Sequence, residues 1–128
     1  MRIIPSRIHG VLDYVVGLVL ILSPRLFGFQ TGGFEERIPV LLGVAALVYS
    51  LITRYELGLF KVLPFRVHLI LDLVSGVVLA TSPWVFGFSE RIWGPHLFFG
   101  LLEIVVPVLT IPHTTVGDPM RRVRRRRV

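Results

Sequence analysis

One string is written twice. Ser-Pro-Arg-Leu-Phe-Gly-Phe at residues 23–29 returns as Ser-Pro-Trp-Val-Phe-Gly-Phe at residues 82–88. The likeness extends upstream: residues 5–29 laid on 64–88, an offset of 59, agree at 14 of 25 positions. A chain built this way must fold as two related units. The shared positions carry more than apolar bulk, since they include Pro5/Pro64, Arg7/Arg66, His9/His68, Asp13/Asp72 and Gly17/Gly76. The second half of each unit agrees more weakly, with Gly43 opposite Gly100 and Thr53 opposite Thr110 once the connecting loop shortens by two residues.

The repeated segment is a candidate membrane helix. Hydrophobic residues make up 53% of the chain, charged residues 17%, and the mean hydropathy is +0.74, against about 45–50% and about 25% for an average soluble domain. Apolar runs lie at about 7–23, 39–54, 66–82 and 95–111, each near the lower end of the roughly 17–25 residues that cross a bilayer. Helices are the form that satisfies their backbone in hydrocarbon. Pro24 and Pro83, each followed by a glycine between two phenylalanines, are expected to stop the first and third helices. Pro39 and Pro95 suit the first turn of the second and fourth. The fold class is therefore all-α: an integral membrane four-helix bundle of two tandem hairpins, at residues 1–60 and 61–112, related by a pseudo-two-fold axis along the membrane normal.

Charge orients it. Eleven Lys and Arg fall on the side of the termini and the middle connection, and only Arg25, Arg37 and Arg91 on the other. Both termini should be cytoplasmic and the Ser-Pro-x-x-Phe-Gly-Phe turns outside, in a multi-pass protein of the cell membrane. The formal charge of +6 is concentrated in a tail, residues 113–128, with Arg121, Arg122, Arg124, Arg125, Arg126 and Arg127. Such a run beside a membrane helix is drawn to anionic head groups. No aromatic residue interleaves it and no reader domain adjoins it, so nucleic acid is not expected as a partner. The basic residues Arg2 and Arg7 before an apolar run resemble a signal peptide, but the same pattern recurs from Arg66, where no signal could lie.

The residues that could carry chemistry are few. His9-x-x-x-Asp13 and His68-x-x-x-Asp72 place two polar side chains on one face of each helix, about 9 Å beyond Arg7 in the case of Asp13. The first expectation is structural, with each Asp paired to its own His or to a nearby Arg. Proton-coupled transport through Asp13 and Asp72 is the alternative, and metal binding a further one, although the Glu-x-x-His pairs of di-iron bundles are missing. Glu103, opposite Ala46, is a lone acid that breaks the repeat, and Pro107 leaves its carbonyl without a helical donor. His96 shares its face and is expected at the outer surface. Trp84, Trp93, Phe27, Phe29, Phe86 and Phe88 form an expected interfacial belt. Gly43, Ala46, Ser50, Gly76 and Ala80 permit close helix contact or a homo-oligomer. With no cysteine, no phosphate loop and no nucleophile elbow, neither an enzyme nor a resident cofactor or metal is expected.

Ser82-Pro83-Trp84 and the joint Tyr55-Glu56-Leu57-Gly58 resemble the SPW-repeat family of small membrane proteins, over about residues 5–111. In that family a two-helix unit carries Ser-Pro-Trp near the end of its first helix. Ser23-Pro24-Arg25 departs from the motif in its third residue. The resemblance implies architecture and a membrane location. It implies no reaction, which leaves a structural or interaction component of the cytoplasmic membrane as the expected role.

Overall fold

A computed structural model describes residues 1–114 and contains four helices: α1 (Ser6–Leu26), α2 (Phe34–Leu51), α3 (Phe65–Val85) and α4 (Gly94–Leu109). The arginine tail at 121–127 lies outside the described residues. The offset that aligns the sequences also carries Ser6 onto Phe65 and Leu26 onto Val85, so α1 and α3 start and stop in register. Pro5 and Pro64 precede them, and their carbonyls accept the first helical hydrogen bonds from the backbone N–H groups of His9 and His68, at 3.0 and 3.1 Å.

The sequence pattern led us to expect Pro24 and Pro83 to end their helices, and they do not. Both lie inside, and the helices run on to Leu26 and Val85. A helical proline leaves the carbonyl four residues back without a donor. Here the preceding serine supplies one: Ser23 Oγ donates to Leu20 O and Ser82 Oγ to Leu79 O, each at 2.7 Å. The repair lets the helix continue. Termination falls instead to Gly28 and Gly87, whose φ of 72° and 74° suit glycine. Past each glycine the chain closes back, Phe29 N–H on Pro24 O at 2.9 Å and Phe88 N–H on Pro83 O at 2.8 Å, in the manner of a Schellman motif.

The second helix also differs from expectation. It begins at Phe34, five residues early, so Pro39 sits in its second turn rather than its first. The carbonyl this frees is that of Glu35, and His96 Nε2 on α4 donates to it at 2.8 Å. Pro95 does occupy the opening turn of α4.

Within each hairpin the helices pack closely, α1 along α2 and α3 along α4, while α2 meets α3 and α1 meets α4 over shorter stretches. Small residues set the approach. A Cβ on Gly43 would lie 2.7 Å from Gly17 O, and one on Gly76 would lie 2.7 Å from Gly100 O. Gly43, Ala46, Ser50, Gly76 and Ala80 are buried in these intramolecular contacts.

The distribution of side chains is inverted relative to a protein in water. Leu18, Leu22, Val44, Val48, Ile70, Val74, Leu101 and Val105 are exposed, while Ser23, Ser50, Ser82, His9, His68 and Asp72 are buried. α1 and α3 are long and apolar enough to cross a membrane, yet only 33% and 50% of their apolar windows is buried in the bundle.

Candidate functional site

At the end of the bundle that holds the N-terminus and the α2–α3 connection, α1 and α3 bring the two His-Asp pairs face to face. Each pair lies one helical turn apart on its own helix, and the four polar groups point into a common centre. His9 Nε2 stands 3.1 Å from Asp13 Oδ1 and 2.8 Å from Asp72 Oδ2. His68 Nε2 stands 3.2 Å from Asp72 Oδ2 and 3.0 Å from Asp13 Oδ2. Each histidine therefore reaches both carboxylates, and its shorter contact is with the other copy. That exceeds the expectation of a pair closed within each helix. Among the described residues, no arginine takes part in the ion pairs of these four.

A second layer holds the first. His9 Nδ1 lies 2.8 Å from Thr110 Oγ1, and His68 Nδ1 lies 2.8 Å from Thr53 Oγ1. Each threonine has already committed its single hydroxyl proton to a carbonyl one turn back, Val106 O or Tyr49 O. Its oxygen can only accept from the ring, so Nδ1 carries a proton on both histidines. Tyr55 Oη donates to Asp13 Oδ2 at 2.8 Å and Tyr49 Oη to Asp72 Oδ1 at 2.6 Å. Burial first, then the Asp13 carboxylate, push the Tyr55 phenol well above its ordinary range, so it stays a donor.

The threonines are themselves placed by crossed backbone bridges. Ile4 pairs with Thr110, and Thr53 with Leu63. Ile3 and Ile4 N–H groups both meet Leu109 O, as those of Val62 and Leu63 meet Ile52 O, all between 2.7 and 3.0 Å. Beneath them Tyr55 stacks on Phe65, centroids 5.5 Å apart, in an apolar cluster with Leu69 and Leu57.

The chemical consequence concerns charge. With the ring proton on Nδ1, a neutral histidine turns its Nε2 lone pair toward carboxylate oxygens, and the two Nε2 atoms are only 3.3 Å apart. Four electron-rich groups then converge. Such a centre calls for positive charge in its middle, as protons on Nε2 or as a cation.

Glu103 reaches the same region from α4. Its Oε2 accepts from Ser75 Oγ at 2.9 Å. With Ala46 opposite, it lines a cavity of about 30 Å³ that His9, Asp13 and Asp72 also border.

The remaining expected residues lie elsewhere. His96, in the first turn of α4, is buried within the bundle, because Pro39 frees the carbonyl it binds and because Phe29 and Phe88 enclose its ring at centroid distances of 5.1 and 4.9 Å. Phe29 and Phe88 are accordingly core residues rather than belt residues; the turn through Gly28 and Gly87 swings them inward. Phe27, Phe86, Trp84 and Trp93 are exposed near that same end. The sequence reading missed Thr53, Thr110, Tyr49 and Tyr55 as parts of the centre. The weak match of Thr53 with Thr110 was the available signal for the threonines, while the tyrosines have no counterparts in the second copy: Val106 stands opposite Tyr49 and Pro112 opposite Tyr55.

No curated protein and no solved structure matches the chain. A family model described as the SPW repeat domain matches residues 7–110. That span runs from the first turn of α1 to Thr110 and takes in both His-Asp pairs, both threonines and both tyrosines, and the chain belongs to the SPW repeat domain family.

Proposed function

We propose that the protein is a four-pass component of the cytoplasmic membrane with a structural or interaction role, its termini on the cytoplasmic side and its arginine tail on anionic lipid. The observation that carries this reading is the inverted side-chain distribution. A core helix of a soluble protein buries most of its apolar surface, whereas α1 and α3 leave half or more of theirs outside and turn histidine, aspartate and serine inward. In lipid the exposed valines and leucines meet hydrocarbon, and the buried polar groups find one another. The 21 residues of α1 or α3, at about 1.5 Å each, span about 31 Å, which matches a hydrocarbon core of about 30 Å.

The interlocked centre supports a static role over a transport role. Every helix touches the centre or its lining, and the cavity beside it is about 30 Å³, room for about one water rather than for a solute path. Cysteine scanning tests the arrangement: Gly33→Cys, in the α1–α2 turn, should react with an impermeant thiol reagent in intact cells. Reaction only after lysis would reverse the orientation. A compact monomer recovered in buffer without detergent would remove the membrane reading altogether.

A further inference from the structure

The four groups at the centre fit a ligand better than they fit one another, and we propose that His9, Asp13, His68 and Asp72 bind one divalent first-row transition metal ion of the zinc and ferrous iron class. One ligand atom from each lies within 4.8 Å of all the others. The two Nε2 atoms are 3.3 Å apart and the nitrogen–oxygen separations run from 2.8 to 3.2 Å. Four ligands at about 2.0–2.1 Å in a tetrahedron stand about 3.3–3.4 Å from one another, so a slight expansion of the centre admits the ion.

The second layer is what makes this a built site. Metal-bound histidine commonly donates its other ring nitrogen to an outer group that fixes tautomer and ring orientation. Thr110 and Thr53 do this for His9 and His68, with their own protons engaged elsewhere so that the polarity of the contact is set. Tyr49 and Tyr55 each bond an oxygen of one carboxylate, which orients Asp72 and Asp13 in the same manner. Charge closes the argument. Two carboxylates and one divalent ion between neutral rings sum to zero, which avoids a net buried charge.

Ligand chemistry selects the class. Two imidazoles disfavour calcium and magnesium, which prefer all-oxygen shells, and a chain without cysteine offers no thiolate for copper(I). The cavity bordered by His9, Asp13, Asp72 and Glu103 has room for about one water as a further ligand. The inference holds whichever way the protein is oriented in the bilayer.

The test uses the full chain in detergent, stripped with a chelator and titrated with Zn²⁺ or Co²⁺ as the probe. One ion per chain is expected, with a visible ligand-field spectrum for the cobalt form and an X-ray absorption shell for the zinc form that contains two imidazoles and no sulfur. His68→Gln should weaken binding by more than about 100-fold, and Thr110→Val, which keeps all four ligands, by about 10–100-fold. His113→Ala, at an exposed histidine outside the centre, should change nothing. Folded wild-type protein that retains no ion, leaving a protonated quartet, would overturn the proposal. So would a shell without imidazole, or affinity unchanged in His68→Gln. Should His68→Gln fail to fold, the imidazole count on the wild-type protein decides alone.

Discussion

Ser23 and Ser82 show how much one hydroxyl can carry. Each stands beside a proline and bonds the carbonyl that the proline ring deprives of its helical donor. Ser82→Ala should therefore leave Leu79 O buried and unsatisfied, at a cost of about 1–3 kcal/mol by denaturation in detergent. An equal stability in Ser82→Ala and wild type would refute the role given to the pair. The same scale explains what could be read in advance. His9, Asp13, His68 and Asp72 were legible because a spacing of four on an apolar helix marks a face without knowledge of any neighbour. Their mutual contact was not, because it depends on how two helices cross. Thr53 and Thr110 were harder still: each serves a histidine in the other copy, and nothing local to a threonine announces that. Phe29 and Phe88 were misread since the positive φ of Gly28 and Gly87 decides which way the next side chain faces.

Among the elements, the four helices were readable from their apolar runs, and their boundaries were not. Pro39 misled at the start of α2 because a proline outside the first turn normally breaks a helix, whereas here His96 reaches across from α4 to bond the freed carbonyl. Helix contact is the property most open to test at this scale. A Cβ on Gly100 would lie 2.4 Å from Ala80 N and 2.6 Å from Ala80 Cα, with backbone that has no easy way to yield. Gly100→Val should separate α3 from α4 and cost about 1–3 kcal/mol or more. Gly94→Ala, on the same helix but with nothing within 4 Å of the added carbon, should stay within about 0.5 kcal/mol of wild type. Similar losses in both would show that helix propensity, not packing, governs these positions.

For the whole molecule, the inverted arrangement and the interlocked centre predict passivity. Liposomes carrying the wild-type protein should show no pH-driven flux, and Asp13→Asn with Asp72→Asn should lower detergent stability without changing that result. Flux in wild type that vanishes in a folded double variant would favour proton-coupled transport instead. The crossed bridges at Ile4–Thr110 and Thr53–Leu63 carry a further consequence. Because each histidine leans on a threonine supplied by the opposite half, a single hairpin owns only fragments of the centre. Cutting the chain between residues 60 and 61 should yield two pieces that copurify when made together and are unstable when made apart. The covalent joint at Phe60–Lys61 then serves mainly to fix stoichiometry, freeing each half to diverge, as the tyrosines of one and Glu103 of the other already have.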